Sequence, residues 1–574
     1  MIVFQVRQEG VIGVRFPYDK TKVDAIKCIE GRRWNKENQE WLIPAAFLDQ
    51  AVELLGGEWP LVPKEVVEEY EKSRAAGTRL IVGNTFTKIQ GHDLPLEDIE
   101  EAASFWIEGA EYSKKFQDGI WDGQKHLYRK RGGLSIPTGL LSRVETLFKN
   151  KGHEYQIEDT RLQPPPGQPI QAEGPPLRGY QQEVLKCVRQ NERGILQLAT
   201  GAGKTLIAAH IIAEKGLDSL FFVHTKDLLY QTIEAFQKIL RVPIGQIGDG
   251  RVQIEKITVA TIQTAARALN VKLPKESVDE VPCWSDDESE KLTVSDWEVI
   301  QDAMSRCRLV IFDECHHVPA DSFYEIAMKL PNAFFRYGLS ATPWRSDRSD
   351  LMIEAALGAK LVVVNSTELI KQGFLVPPRI TMFEVLPTNR RLARNFTKVY
   401  QSEIVENSER NHLIAEVAAH CASRGRSVLI LVNQIKHGHN LEQLIDGAVF
   451  IHGGNPSEVR SKALEELRQK KNHILIATTL ADEGLDLPSL DALILAGAGK
   501  SETRALQRVG RVLRPSPGKS AAIIVDFFDQ CLYLQKHSEY RFEIYKTEPA
   551  FEVDIRPPRL EGLIAARQRI LAEN

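Results

Sequence analysis

One glycine-rich stretch, LATGAGKT at residues 198–205, constrains the fold of this chain more than any other stretch. The apolar run GILQLA precedes it and TLIAAHIIAEKG follows it, so it joins a strand to a helix. Glycines at 201 and 203 let the backbone close around phosphate oxygens, which the helix N-terminus also attracts. Leu198 replaces the first glycine of the strict G-x-x-x-x-G-K-[ST] pattern, but the strand–loop–helix context predicts a phosphate-binding loop in an α/β fold.

The residues of this loop have separate expected roles. Lys204 would reach the β- and γ-phosphates of a nucleotide, and Thr205 would bind Mg²⁺. The rest of the loop would hold the nucleotide: Thr200, Gly201, Ala202 and Gly203. The sequence therefore predicts ATP and Mg²⁺ as ligands.

A second stretch, VIFDECHH at 310–317, is an apolar strand that ends in two carboxylates. Phosphoryl transfer needs an acidic residue that holds the metal and a base that positions water, both at the carboxyl edge of a sheet. Asp313 is the candidate for Mg²⁺, and Glu314 is the candidate base. Behind a phosphate loop this pair indicates hydrolysis rather than a solvated strand end.

A row of arginines lies much later, in QRVGRVLRP at 507–515. Arg508, Arg511 and Arg514 recur every three residues, so on a helix they fall near one face. Guanidinium groups suit the spread charge of a transferring phosphoryl group. An exposed basic helix face is the alternative, unless two lobes meet across an ATP site.

Short, continuously apolar runs alternate with helices after residue 177. Five such runs precede residue 345 and five follow residue 425, as expected for parallel strands covered on both faces. We expect two tandem parallel-sheet lobes, 177–365 and 366–535. Residues 266–306 would be an exposed insertion in the first lobe, and 536–574 a C-terminal extension.

Taken in order, these stretches resemble the superfamily 2 helicases and translocases. LRGYQQEVL (177–185) resembles the adenine-side motif, DECH the DExH form of motif II, SATP (340–343) motif III, and QRVGRVLR motif VI. The resemblance implies two RecA-like lobes and a nucleic-acid-stimulated ATPase. SATPWR and ELIKQGFLVPP look like the branch with XPB-type, RecG-like and phage UvsW-type enzymes.

The resemblance also implies roles for individual residues. Arg178 and Gln181 would lie at the adenine, Gly484 and Asp486 near the ribose and phosphates, and Gln507, Arg511 and Arg514 at the γ-phosphate. His316, Ser340 and Thr342 would couple hydrolysis to motion. Thr225, Thr261 and Thr478 would contact the nucleic-acid backbone.

The proline-rich segment QPPPGQPIQAEGPPL separates this motor from the front of the chain and predicts a semi-rigid linker at 161–176. Two small α+β modules precede it. The module at 79–160 resembles the N-terminal domain of UvsW-type helicases, and the module at 1–60 resembles the HARP-type domain of annealing helicases. Both would bind DNA.

The front modules hold the candidate DNA contacts. GRRWNKENQEW (31–41) predicts a hairpin of which one or both tryptophans pack onto the helices, with Arg32 and Arg33 reaching phosphate. Lys125 and Arg129 belong to the densest basic cluster of the second module. A basic run is more often only a solvated face, but beside a nucleic-acid motor a phosphate-contacting surface is favoured.

Net charge, cysteine spacing and hydropathy restrict what kind of protein this chain can be. The formal net charge is −4, so any nucleic-acid surface must be local. Seven scattered cysteines form no Cys-x-x-Cys pair, which predicts reduced thiols and no metal framework. No apolar run approaches the ~18 residues of a membrane span, so we expect a cytoplasmic protein.

Three functions remain open from the sequence. The first is an ATP-dependent DNA helicase or translocase that remodels forks or junctions in recombination and repair, possible partners being other repair proteins. The second is a DExH RNA helicase, because the motifs contact the nucleic-acid backbone, which distinguishes DNA from RNA poorly. The third is a motor subunit that translocates for a nuclease partner.

Overall fold

The computed structural model describes most of the chain. The described residues are 2–8, 10–29, 31–75, 77–91, 93–107, 109–271, 292–316, 320–341, 350–388, 395–478, 490–497, 509–510, 512–531 and 533–557.

The first module is a four-stranded antiparallel sheet with helices on one face. Its strands lie in the order β1-β2-β4-β3: β1 Val3–Gln8, β2 Val11–Arg15, β3 Arg33–Asn35 and β4 Glu40–Pro44. Its helices are α1 Lys20–Ile26, α2 Leu48–Leu55 and α3 Lys64–Ala75, with 3₁₀ turns at Ala45–Phe47 and Trp59–Leu61. Asp19 caps α1 by accepting from two backbone N–H groups. The expected hairpin forms, with Trp34 opposite Trp41.

The second module holds another four-stranded sheet, in the order β10-β5-β6-β9, and a two-stranded sheet, β7-β8. The strands are β5 Thr78–Val82, β6 Phe86–Gln90, β7 Ser104–Trp106, β8 Gln124–His126, β9 Ser135–Pro137 and β10 Tyr155–Asp159. The helices are α4 Leu96–Ala102, α5 Lys114–Gln117 and α6 Leu141–Lys151, with 3₁₀ turns at Ala110–Tyr112 and Thr138–Leu140. Helix α6 ends at Gly152, whose left-handed φ of 66° favours glycine.

The first large lobe is an eight-stranded sheet, parallel except for the β13–β14 pair, in the order β14-β13-β15-β12-β16-β17-β11-β18. Its strands are β11 Arg193–Leu198, β12 Ser219–Val223, β13 Gly245–Gly248, β14 Arg251–Gln253, β15 Ile257–Thr261, β16 Leu309–Asp313, β17 Phe335–Ser340 and β18 Lys360–Val364. Its helices are α7 Gly179–Gln190, α8 Lys204–Lys215, α9 Lys226–Leu240, α10 Ile262–Ala268, α11 Val294–Arg306, α12 Ala320–Met328 and α13 Asp350–Leu357.

The second lobe is a seven-stranded parallel sheet in the order β21-β22-β20-β23-β24-β19-β25. Its strands are β19 Pro378–Val385, β20 Val428–Val432, β21 Val449–Ile451, β22 Ile474–Thr478, β23 Ala492–Leu495, β24 Ala522–Asp529 and β25 Glu552–Arg556. Its helices are α14 Ser366–Lys371, α15 Phe396–Tyr400, α16 Ser408–Ala422, α17 Ile435–Leu444, α18 Ser457–Arg468 and α19 Leu534–Lys546, with a π-helical turn at Gln401–Val405. The predicted fold class, two parallel-sheet lobes behind small α+β modules, is confirmed.

Two predicted segments differ in detail from the structure. The sheet of the second lobe continues beyond residue 535, because β25 pairs with β19 from Arg379 to Phe383. The expected insertion is shorter than 266–306, because α10 and α11 bury Ala266, Ile300 and Met304 in the core of the first lobe. Small and apolar residues at helical spacing give both segments a buried face.

The proline-rich segment is bound along the first lobe rather than free between domains. The backbone N–H of Ile170 donates to the carbonyl oxygen of Ala213 at 2.9 Å, and Arg241 pairs with Glu173 at 2.9 Å. A Cβ placed on Gly167 would lie 2.0 Å from the carbonyl oxygen of Lys215, so only glycine allows this approach. The linker therefore fixes the path from the second module to the first lobe.

Candidate functional site

The phosphate loop follows β11 and opens α8, as the sequence predicts. Gly201 and Gly203 have φ values of 86° and 81°, in the left-handed region where glycine is unstrained. Ala202 is fully buried, and Thr200 and Thr205 are half-buried. The loop thus turns its backbone toward the N-terminus of a twelve-residue helix, where an anion is favoured.

Two carboxylates lie at the same edge of the sheet, at the end of β16. The side chain of Lys204 pairs with Glu314 although 110 residues separate them in the chain. Glu314 has a φ of 44°, a left-handed conformation that costs a non-glycine residue energy. Burial and the neighbouring Glu314 carboxylate raise the pKa of Asp313 to about 7. A divalent cation bound there would favour the ionised form.

Strand order explains why these residues meet. The order β16-β17-β11 places only one strand between the acidic pair and the phosphate loop. All three strands are parallel, so their carboxyl ends share one edge of the sheet. Asp313 and Thr205 thus offer the oxygen ligands that Mg²⁺ accepts.

The two described coupling candidates are in contact. Nδ1 of His316 lies 2.5 Å from Oγ of Ser340, and both side chains are buried. Ser340 ends β17, the strand between the phosphate loop and the acidic pair. This hydrogen bond links the DECH segment to the SATP segment, and Thr342 lies outside the described residues.

The adenine-side candidates pack directly against the phosphate loop. Gln181 donates from Nε2 to the carbonyl oxygen of Ala202 at 2.9 Å and accepts from the Arg178 backbone N–H at 2.9 Å. Tyr180 donates to the same Ala202 carbonyl at 2.9 Å. Cζ of Arg178 lies 4.3 Å from the ring centre of Phe374. Gln181 therefore joins the start of α7 to the phosphate loop.

The sequence reasoning missed two aromatic residues here. Tyr180 adjoins Gln181, so its place in the motif was a usable signal. Phe374 lies almost 200 residues away, in QGFLVPP, and no local pattern connects it with Arg178.

The second lobe reaches the phosphate loop through the arginine-rich segment. A Cβ placed on Gly510 would lie 2.5 Å from Cβ of Thr200, and one placed on Gly201 would lie 4.0 Å from Cγ of Arg514. Burial lowers the pKa of Arg514. Gly510 was also missed, because its role is the close approach of two distant segments. Gln507, Arg511, Gly484 and Asp486 lie outside the described residues.

The three threonine candidates for nucleic-acid contact differ in accessibility. Thr225 caps α9 by accepting from the Leu228 backbone N–H and is half-buried. Thr261 and Thr478 are only 3% and 5% exposed, and Thr261 donates to Oγ1 of Thr264 at 2.9 Å. The structure therefore presents Thr225, but not the hydroxyls of the other two, near the surface.

Some of the basic candidates in the front modules already make contacts within the protein. Arg32 donates to the carbonyl oxygen of Ile29 at 2.9 Å, while Arg33 is exposed. Arg129 lies 3.8 Å from the ring centre of Phe86, and Lys125 is half-buried on β8.

The tryptophans of the hairpin make an edge contact, with ring centroids 5.2 Å apart. Trp41 packs against the module core, but Trp34 is 48% exposed.

Comparison with known families agrees with this geometry. Residues 175–345 match the type III restriction enzyme res subunit, and residues 409–516 match the helicase conserved C-terminal domain. These are the two lobes that carry the phosphate loop and the arginine-rich segment. Over these two ranges the chain is similar to helicases of superfamily 2.

Curated relatives narrow the branch. UvsW of Enterobacteria phage T4, an ATP-dependent DNA helicase, is 24% identical over 493 residues, covering 77% of this chain and 88% of UvsW. XPB2 of Sulfurisphaera tokodaii, a DNA 3'-5' translocase, is 25% identical over 59% of this chain and 78% of its own length. A protein of Sulfolobus islandicus filamentous virus, named as a helicase, is 26% identical over 62% of this chain. The chain spans 65% of that viral relative.

These relatives place the chain on the branch of UvsW- and XPB-type enzymes, as its motifs predicted. The likeness of the first module to HARP-type domains stays a prediction. In the part of the chain that the structure describes, no helix is both long and apolar enough to cross a membrane.

Proposed function

We propose that this chain is an ATP-dependent DNA helicase or translocase that acts on branched or partly single-stranded DNA. The observation that carries the proposal is one sheet edge where the phosphate loop, the Asp313–Glu314 pair and the His316–Ser340 contact meet. The second lobe closes over that edge with Gly510 and Arg514. Such an arrangement joins hydrolysis to the relative movement of two lobes.

The Lys204–Glu314 ion pair gives the site a resting arrangement. Phosphates of ATP would attract Lys204, because its ammonium would then face several negative oxygens instead of one carboxylate. Glu314 would be released to accept a proton from the attacking water. Binding of the substrate thus activates the base.

Asp313 and Thr205 would hold Mg²⁺, which would neutralise charge on the phosphate oxygens. Arg514, with Arg511 and Gln507, would face the γ-phosphate from the second lobe. Arg178 and Gln181 would hold the adenine, and Gly484 and Asp486 would lie near the ribose.

The DNA would bind across both lobes, with Thr225 near its backbone. Arg33, Lys125 and Arg129 of the front modules would hold the duplex or junction. Recombination and repair in the cytoplasm are the proposed setting, with repair proteins as partners.

ATPase and strand-displacement assays on forks, four-way junctions, single strands and structured RNA test this proposal. We expect forked DNA to stimulate hydrolysis most, and Lys204→Ala or Glu314→Gln to reduce it by about 100-fold or more. Lys238→Ala is the matched control, because Lys238 is an exposed residue of α9 that pairs only locally with Glu234. Normal hydrolysis in either site variant would refute the site assignment.

Two other results would select the alternative functions. Stronger stimulation by structured RNA than by any DNA would identify an RNA helicase. Stimulated hydrolysis with neither displacement nor branch migration would identify a translocating motor that serves a nuclease partner.

A further inference from the structure

The N-terminal sheet has one face that its helices leave uncovered. Helices α1, α2 and α3 all contribute to the same apolar cluster, together with Phe4 and Ile12 of the sheet. Residues directly paired across strands project to the same face of a sheet. The pairs Gln5–Gly13, Gly13–Leu42 and Leu42–Arg33 therefore lie in one row across the opposite face.

A buried carboxylate organises this open face. Glu40 is 1% exposed, and its Oε2 accepts from Arg7 Nε at 3.1 Å and from Arg7 Nη2 at 2.7 Å. Arg15 Nε lies 3.3 Å from the same oxygen. One carboxylate thus holds two guanidinium groups from neighbouring strands.

Gly13 makes this arrangement possible. A Cβ placed on Gly13 would lie 2.7 Å from Oε2 of Glu40 and 3.0 Å from Nε of Arg7. Any side chain there would displace the ion pairs, so the notch at Gly13 lets both charged groups lie flat on the sheet. The strand carries a glycine where packing alone favours a β-branched residue.

The cluster keeps a positive charge after pairing. The Arg7 and Arg15 side chains are 27% and 47% exposed, and two cations face a single carboxylate. The three contacts with Glu40 use three of the about ten N–H donors of two guanidinium groups. Arg33, also exposed, adds a third cation to the same face.

The second module touches the first module close to Arg33. A Cβ placed on Gly31 would lie 3.4 Å from Cα of Gly133, so the turn before Arg33 touches the turn after Arg131. Arg131 is exposed. The turns next to Arg33 and Arg131 are therefore in contact.

We propose that the open face with Arg7, Arg15 and Arg33 binds the phosphate backbone of duplex DNA, with Glu40 as a positioning residue. The inference rests on the proposed function, because the motor supplies the DNA. Planar guanidinium groups held in one orientation match phosphate oxygens bidentately and lose little freedom on binding. The chain as a whole has a formal net charge of −4, so overall charge does not attract DNA. The attraction must come from this local group of arginines.

Binding of the full chain to a forked duplex, measured by fluorescence anisotropy at two salt concentrations, tests the inference. We expect Arg7→Gln combined with Arg15→Gln to weaken binding about tenfold and to lower the salt slope by about two. The control, Lys20→Gln with Lys64→Gln, removes the same charge from exposed positions on α1 and α3. It should change affinity less than about twofold. Equal losses in both variants would overturn the inference.

Glu40→Gln separates a positioned grip from a general positive field. This change raises the net charge of the module by one, so a field alone predicts tighter binding. Loss of positioning predicts weaker binding, and tighter binding would refute the role of Glu40. Arg7→Lys with Arg15→Lys keeps the positive charges opposite Glu40. This variant therefore tests the arginine geometry without leaving the buried carboxylate unpaired. It should still weaken binding, because lysine cannot bind bidentately.

Experiments on the wild-type chain separate the proposed function from the proposed DNA-binding surface. No stimulation of its ATPase by any DNA would refute the proposed function itself. Stimulation in the wild type, together with unchanged fork affinity in the Arg7→Gln, Arg15→Gln variant, would refute only this surface. Preference of the same arginines for duplex RNA would refute its assignment to DNA.

Discussion

Two interfaces between domains of this molecule, here called seams, differ in the residues that form them. The seam between the second module and the first lobe holds a shared apolar cluster in which Leu140 and Val144 meet Leu351 and Met352. Arg143 donates two hydrogen bonds to Glu354 across it, at 2.9 and 2.6 Å.

The seam between the two lobes passes through the proposed ATP site. Thr200 meets Gly510 there, and Leu375 lies 3.1 Å from a Cβ placed on Gly201. An ion pair between Arg460 and Asp227 spans 3.9 Å.

The difference indicates which seam moves. Residues that bind a nucleotide change partners when it arrives, so the seam between the lobes must rearrange during hydrolysis. The other seam contains none of the proposed nucleotide ligands and can stay closed. We therefore infer that the second module travels with the first lobe.

The largest expected effect is at the fixed seam, from Gly139→Ala. A Cβ there would lie 2.1 Å from the carbonyl oxygen of Glu354, so the module must shift away from α13. We expect a loss of about 3 kcal/mol of stability, as for severe overpacking. Thermal unfolding and trypsin cleavage after Arg161 measure it. Gly57→Ala is the control, because its nearest contact is an ordinary 3.4 Å. Equal melting of both variants would contradict a closed seam.

The next effect is at the moving seam, from Gly510→Ala. The new methyl group would hold the arginine-rich segment away from Thr200, and a misplacement of about 1 Å lowers kcat by up to about 100-fold. Affinity for ADP should change little, because the phosphate loop itself stays intact. Steady-state ATPase kinetics and ADP titration separate these quantities. A large loss of ADP affinity with unchanged kcat would show that Gly510 does not serve lobe closure.

A smaller effect is expected from Ser340→Ala, which removes the hydrogen bond to His316. A bond of this kind contributes about 1 kcal/mol. We expect ATPase activity to stay within about twofold while strand displacement per ATP hydrolysed falls about fivefold. Paired ATPase and displacement assays on one DNA substrate give the ratio. An unchanged ratio would leave this contact without a coupling role.

The smallest effect concerns pH and is confined to the second lobe. Burial, together with the nearby Arg410 charge, lowers the pKa of His437 from 6.5 to about 3. Between pH 6.5 and 3, His437 is protonated in the unfolded chain but neutral in the folded chain. Stability therefore falls as the pH falls toward 3.

At pH 6 the expected loss is about 0.8 kcal/mol relative to high pH. Thermal unfolding of His437→Gln and of exposed His412→Gln at pH 7.5 and pH 6 measures it. Only His437→Gln should reduce the pH dependence of stability. An equal reduction in His412→Gln would show that His437 does not cause it.

The sequence alone determined where the motifs lie and their order along the chain. The phosphate loop, the acidic strand end and the arginine-rich segment were each readable because a strand, its following turn and a helix are encoded within about 20 contiguous residues. Alternating apolar runs likewise predicted two parallel-sheet lobes. The hairpin at Trp34 and Trp41 followed from its turn residues.

Tertiary structure alone decided which distant residues meet. Lys204 and Glu314, Arg178 and Phe374, Gly510 and Thr200, and Arg7 and Glu40 are pairs that no local period records. The same holds for α11 and the end of α10, which were predicted to lie in an exposed insertion. Periodicity reports the face that an element buries, whereas its partner is set by strand order and by the close approach of backbones. The motifs of the chain therefore predict a motor, and the tertiary structure brings together the residues proposed as its base, its moving seam and its basic surface.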